Sequence, residues 1–253
     1  VDGSIDPIRD IETINLELIF ADLETIEKRL ERAKKLLKAD KKYQFEIDTL
    51  EKVKVTLEEG RCARTLEYSD EEKDVLRERF LLTMKPTLYV ANVSENELEN
   101  PQDNENVKRV IEYAKQEGAD VIPLCVKIEE ELSTLEKEDK TEMLEALGLE
   151  ESGLDKLIKA SYKLLGLMSF LTAGEPEVRA WTIKIGTKAP QAAGKIHSDI
   201  ERGFIKAEVI SFDDLINKAN CSMVQAKEKG LVRQEGKEYI MQEGDIVLFR
   251  FNV

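Results

Sequence analysis

The sequence predicts a multi-part α/β chain: a long antiparallel coiled-coil hairpin, a partial parallel sheet, and a small α+β domain of the β-grasp, ubiquitin-like kind. Three observations carry that reading. Apolar residues near the start recur at alternating spacings of four and three, a strand, a helix and a second strand follow one another between residues 88 and 126, and the last third sets short strands around a helix.

The elements follow in order. Asp6-Pro7 reads as a helix cap with proline at the first helical position, after which Ile19, Leu23, Ile26, Leu30, Ala33 and Leu37 trace one apolar seam. A second seam runs through Tyr43, Ile47, Leu50, Val53 and Leu57 and stops at Gly60. The linker "KADKK" permits only a reversal, so residues 8–64 form a hairpin with a basic tip. Ser69-Asp-Glu-Glu72 has capping-box spacing and opens a helix expected to reach about residue 82. Pro86 prepares a strand at 88–91, "SENELENPQDNEN" is a polar loop, 107–117 has helical period, and "DVIPLCV" is a second apolar strand. Strand, helix and strand make a right-handed parallel crossover. Two strands alone leave their faces and an edge bare, so further strands of this sheet are expected outside the chain.

Residues 129–165 read as helix in two or three pieces, broken at Gly148 and Gly153. Strand character returns in "SFLTAG" and "EVRAWTIKIG", where Trp181, Ile183 and Ile185 alternate with Thr182 and Lys184. A helix over 192–201, the strand "KAEVIS", the helix "FDDLINKAN" and a hairpin over "VRQEGKEYIMQEGDIVLFRF" complete the expectation.

Composition narrows the function. With 42% hydrophobic residues in 253, the chain buries a large core or several small ones. The three cysteines, Cys62, Cys125 and Cys221, form no Cys-x-x-Cys and fit a reducing, cytoplasmic setting better than a disulfide framework. No apolar run is long enough for a membrane span, and "VDGSIDPIRD" lacks both Met and signal-peptide character, so the start reads as processed, cut or incompletely recorded. A net charge of −14 argues against indiscriminate nucleic-acid binding and against DNA as a partner. The charge is uneven: residues 179–253 carry 12 basic against 10 acidic side chains, the first 178 carry 26 against 42. Within the acidic part, Lys28, Arg29, Arg32, Lys34, Lys35, Lys38, Lys41 and Lys42 face only Glu31 and Asp40, a patch that reads either as a solvated tip or as a contact for RNA or an acidic partner.

Catalysis has little to stand on. The single histidine, His197, lies near a helical segment, where a capping role competes with an RNA or ribosomal contact, and no nucleophile has a recognisable context. No catalytic residue and no metal ligand is assigned. The strand "LYVANVSE" is different, because it ends in Asn92 and Glu95. An Asn amide both donates and accepts and so can pair with a purine edge, a reading that stands beside ordinary turn chemistry for Asn-x-x-Glu at a strand end; Val93 lies between the two, and the neighbouring strand end "CVKIE" approaches the same place. A phosphate loop would need Gly-x4-Gly-Lys-Ser/Thr; Gly194-Lys195 and Gly236-Lys237 both fail the pattern, and none is present.

At these residues the sequence resembles a known family, the YchF or Obg-like ATPases. "NVSE" is similar to the altered base motif that this family carries in place of Asn-Lys-x-Asp, "GSIDPIRDIETINLELIFADLETIEKRL" to the entry into its helical insertion, and "SFLTAGEPEVRAWTIKIGTKAPQAAGKIHSDIERGFIKAEVISFDDL" to its C-terminal TGS domain. The resemblance runs nearly end to end. It implies a phosphate-loop GTPase-like domain interrupted by the hairpin and followed by a β-grasp TGS domain, with segments 1–7 (remnant of the GTPase-like domain), 8–66 (hairpin), 67–166 (its C-terminal half) and 167–253 (TGS). It further implies ATP preferred over GTP, hydrolysis with Mg²⁺, and association with the ribosome or its large subunit. Carried onto this chain, the base-binding positions are Asn92, Val93, Glu95, Cys125 and Val126. Candidate RNA or ribosome contacts are Lys28, Arg29, Arg32, Lys35, Lys38, Lys41, Lys42 and His197. The family's phosphate loop, Mg²⁺ ligands and catalytic histidine have no counterpart here, so the chain alone is expected to be inactive and to hold a nucleotide weakly. The alternative is an adaptor that docks on ribosomal RNA or protein without nucleotide.

Overall fold

The computed structural model describes residues 4–174 and 177–252 and divides into two compact units, Val1–Ile158 and Lys159–Val253. Residues 1–3 of the expected 1–7 segment, Glu175 and Pro176, and Val253 lie outside the described residues.

In the first unit, helix α1 (Pro7–Leu37) begins at Asp6, whose carboxylate accepts the Arg9 N–H, and α2 (Tyr43–Glu58) returns alongside it after the predicted linker. The seam is the expected one: Ile19, Ile26, Leu30 and Ala33 are buried against Ile47, Leu50, Val53 and Leu57. Each large side chain so buried contributes about 1.5–3 kcal/mol against the cost of ordering it. Two polar fastenings interrupt the seam. Glu46 of α2 receives Arg29 in a bidentate pair at 2.6 and 2.7 Å and Arg79 at 3.1 Å, and Asp22 of α1 is buried.

The capping box of Ser69 and Glu72 opens α3 (Asp70–Arg77), which stops short of residue 82. The reason is local: Phe80 takes a positive φ of 51°, and the Leu82 and Thr83 amides donate to Asp22 at 2.8 and 2.7 Å rather than to a preceding turn. Strand β1 (Leu88–Asn92), helix α4 (Glu105–Glu117) and strand β2 (Asp120–Leu124) then form the crossover, with β1 and β2 parallel from Leu88↔Asp120 to Asn92↔Leu124. Asn104 caps α4 at its start, and Gly118, at φ 68°, turns the chain out of it. Strand β2 ends two residues earlier than expected, because Cys125 is already the N-cap of α5 (Val126–Ser133). Helices α6 (Lys137–Ala146) and α7 (Gly153–Leu164) follow, and the Glu129 carboxylate of α5 accepts the Gly153 and Leu154 amides at 2.7 and 3.0 Å. A side chain at Gly153 would put its Cβ 2.6 Å from that of Leu124, so α7 starts hard against the end of β2.

The second unit comprises β3 (Leu167–Ala173), β4 (Val178–Lys184), α8 (Ala189–Ile196), α9 (Ser198–Arg202), β5 (Phe204–Ser211), α10 (Phe212–Ala219), α11 (Met223–Glu228), β6 (Arg233–Glu235) and β7 (Asp245–Phe251). The sheet order is β4-β3-β7-β5-β6, with β3 and β7 parallel and the other neighbours antiparallel. First and last strands side by side at the centre, with α8 and α9 packed against one face, is a β-grasp. Phe170, Ile183, Ala193, Phe204, Val209 and Phe249 form that core, while Leu215, Ala219 and Ala226 from α10 and α11 cover Ile210 and Ile246 on the other face. Three expectations are corrected. The stretch 232–251 is no hairpin, since β6 and β7 both pair with β5 and lie on its opposite edges. The helix over 192–201 is two helices broken at His197, whose extended backbone (φ −160°) leaves the helix. The two expected helices, 192–201 and "FDDLINKAN", become four, since α11 (Met223–Glu228) has no counterpart in the expectation.

Candidate nucleotide-base site

The site is built by register. Because β1 and β2 are parallel neighbours with Asn92 opposite Leu124, both chains leave the sheet at the same end and the two following loops stand side by side. The ladder runs one bond further, from the Val93 N–H to the Leu124 carbonyl at 2.9 Å. Asn92 then turns its Oδ1 to the Val126 N–H at 3.1 Å, so the side chain ending one strand caps the helix that follows the other. Its amide NH₂ is left to face solvent as a donor.

The other expected base residues divide by burial. Val93 is 7% exposed and Cys125 4%, the latter in a core with Ile128, Leu132 and Leu144. Their side chains are interior, so what Val93 and Cys125 offer at the surface is backbone. Glu95 is exposed and pairs with Lys127 across the two loops at 3.6 Å. The loop that carries Glu95 is rigidly made: Glu97 accepts the Ser94 N–H at 2.9 Å and the Ser94 hydroxyl at 2.6 Å, and its other oxygen takes the Asn104 amide at 2.7 Å. These bonds, the Ser94 hydroxyl first, hold the Glu97 carboxyl below the usual range. Sequence reasoning missed Lys127, Glu97 and Asn104. Ser94-x-x-Glu97 has capping-box spacing and was readable; Lys127 had no such signal. A cavity of about 480 Å³ runs along β1, lined by Asn92, Val93, Ser94, Glu97, Asn104 and Val107 among others; Glu95, Cys125 and Val126 do not line it, so it lies beside the two loops rather than between them.

The basic tip is narrower than the sequence suggests. Arg29 is turned inward on Glu46, Lys28 pairs with Glu24, Lys34 with Glu51 at 2.8 Å and Lys42 with Asp40 at 3.0 Å. Among the described residues, Arg32, Lys35, Lys38 and Lys41 are exposed and make no ion pair. His197 stands elsewhere, in the β-grasp unit, where its Nδ1 accepts the Asp199 N–H at 3.2 Å as the cap of α9.

Comparison with known proteins extends this picture. The family model YchF-GTPase_C, described as a protein of unknown function (DUF933), matches residues 167–252. The chain is 56% identical over its whole length to the ribosome-binding ATPase YchF of Bacillus subtilis, of which it spans 69%. It is 47% identical to the same-named protein of Haemophilus influenzae, again spanning 69%, and 41% identical to Obg-like ATPase 1 of Gallus gallus, spanning 64%. The solved structure of the Schizosaccharomyces pombe YchF GTPase superposes on 99% of this chain and 68% of its own, with a TM-score of 0.84 at 35% identity. A GTP-binding protein of Pyrococcus horikoshii, 19% identical with a TM-score of 0.59, shares the fold. On sequence identity along its full length and on fold, the chain belongs to the YchF/Obg-like ATPase family.

Proposed function

We propose that this chain recognises the purine base of ATP, in preference to GTP, at the carboxyl ends of β1 and β2, and docks on the ribosome through its hairpin and β-grasp unit as part of a ribosome-binding ATPase. The observation that carries the reading is the bond from the Val126 N–H to Asn92 Oδ1, which gathers Asn92, Glu95 and the Cys125–Val126 turn at one sheet edge. An Asn amide held by its oxygen is pre-aimed to donate to a purine N7. The names of the relatives support the activity and the partner. In this reading the segments 8–66, 67–166 and 167–253 are the hairpin, the nucleotide-binding half and the TGS domain, and the protein acts in the cytoplasm; among the described residues no helix is long and apolar enough to cross a membrane.

Hydrolysis calls for Mg²⁺ and for groups that grip phosphates. The sequence holds no Gly-x4-Gly-Lys-Ser/Thr to cradle phosphates beside the metal. In this reading the chain's share of the reaction is to hold the base. Docking rests on the unpaired cations Arg32, Lys35, Lys38 and Lys41, with His197 and the paired Lys28, Arg29 and Lys42 as lesser contacts; the large subunit is the partner we propose.

The test is a titration of the chain with ATP followed by amide resonances. ATP should move the Asn92 side-chain NH₂ and the backbone amides of 93–95 and 125–127 in the millimolar range, and Asn92→Ala should abolish those shifts. Shifts confined to other residues would refute the site. For docking, pelleting with ribosomes should weaken steeply with salt, and reversal of Arg32, Lys35, Lys38 and Lys41 to Glu should flatten that slope. Unchanged pelleting would remove the hairpin tip from the interface.

A further inference from the structure

We infer that Lys127 is a specificity-determining residue of the base site, and that it selects adenine by holding the Glu95 carboxylate in an ion pair whose donor and acceptor match adenine's edge. The inference rests on the base-site reading above. Its first support is the pairing itself: Lys127 Nζ lies 3.6 Å from Glu95 Oε2, reaching from the first turn of α5 to the loop after β1, with Glu131 as its only other carboxylate at 3.9 Å among the described residues. Both partners are accessible, at 70% and 49% side-chain exposure, so a ligand can meet them.

The chemistry of the two purines decides what such a pair favours. Guanine presents two neighbouring donors, N1–H and the N2 amino group, and a lone carboxylate accepts both. Adenine presents a donor, its N6 amino group, beside an acceptor, N1. A carboxylate paired with an ammonium offers one acceptor and one donor side by side, which complements adenine and competes with guanine for the same oxygens. A second observation points the same way independently. The Val126 N–H, a backbone donor at the same strand end, is already given to Asn92 Oδ1 at 3.1 Å and so is not free for guanine's 6-carbonyl. Thus the two groups that would read guanine, a bare carboxylate and a bare amide, are each occupied by a neighbour within the protein.

The experiment is an amide-resolved titration of the chain with ATP and, separately, with GTP, comparing the unmodified protein with Lys127→Met, Lys127→Arg and, as a control for loss of one surface charge, Lys137→Met. Exposed ion pairs are modest, so the expected change is about a threefold shift of the ATP-to-GTP affinity ratio toward GTP in Lys127→Met, restored by Lys127→Arg and absent in Lys137→Met. An equal ratio in Lys127→Met and Lys137→Met would overturn the inference while leaving the base site standing. If neither nucleotide shifts the amides of 92–95 and 125–127 in the unmodified chain, the base site and the inference fall together. Retained amide dispersion in each variant shows that the comparison is made on folded protein.

Discussion

Asn92 and Val126, thirty-four positions apart, are joined by a 3.1 Å hydrogen bond from the helix amide to the side-chain oxygen, which ties the end of β1 to the start of α5. One side chain is thereby divided: its oxygen ties two elements of the protein together and its nitrogen is left at the surface.

The two ends separate by substitution. Asn92→Asp keeps an acceptor for the Val126 N–H and should hold stability within about 0.5 kcal/mol, while losing the donor proposed above to meet a purine N7. Asn92→Ala loses both and should cost about 1 kcal/mol. Urea unfolding gives the stability and the ATP titration gives the binding; an Asp variant that bound ATP as well as the parent would show that the NH₂ does not recognise the base.

The Gly153 backbone lies where a side chain has no room, with the Leu124 Cβ 2.6 Å and the Glu129 Oε1 2.9 Å from the place its Cβ would take. Leu124 is the residue opposite Asn92, so crowding at Gly153 reaches the proposed base site through one strand end. Gly153→Ala should cost about 1–3 kcal/mol by urea unfolding and shift the Val126 amide resonance. A neutral variant would mean that α7 moves away without effect on β2.

These relationships show what a sequence discloses. The hairpin seam was legible because Ile19, Ile26, Leu30, Ile47, Leu50 and Val53 repeat at the helical period, a local property of the chain. Asn92 and Glu95 were legible as polar residues ending an apolar strand. Lys127 was not, because its meeting with Glu95 depends on the register of β1 on β2 and on a helix starting at Val126, where the apolar "DVIPLCV" suggested strand. Nor was the placing of β7: β6 and β7 are close in sequence, but the buried run of Asp245, Ile246, Val247 and Phe249 fits a central strand and takes the position between β3 and β5.

Asp22 is a further case that no pattern reveals, since its partners lie sixty residues on. It is 2% exposed and accepts three hydrogen bonds, from the Leu82 amide at 2.8 Å and from the Thr83 amide and hydroxyl at 2.7 Å each. Removing it strands three buried or half-buried donors, so Asp22→Ala should cost about 3 kcal/mol or more, a loss read as a lower urea midpoint at constant slope. Asp22→Asn, which keeps the volume but turns an NH₂ toward one set of donors, should fall between. A loss below about 1 kcal/mol for Asp22→Ala would show that the segment after α3 finds other partners.

Alkaline pH offers a test confined to the β-grasp unit. Burial, then the hydrogen bond to Asp245, pushes the Tyr239 phenol from its ordinary 10 up to about 12. A proton held more tightly in the fold than in the unfolded chain stabilises the fold fully below pH 10, and that contribution is lost as pH rises from 10 toward 12. Tyr239→Phe has no proton to lose, so between those pH values its stability should fall less steeply than the parent's, although it starts lower for want of the 2.8 Å bond to Asp245. Thermal melts of both proteins at intervals across that window, with phenolate absorbance recorded in parallel, read the two slopes. Parallel slopes would mean that the Tyr239 proton is held no more tightly in the fold than out of it, and would remove the Tyr239–Asp245 bond from the forces that set the alkaline limit of this unit.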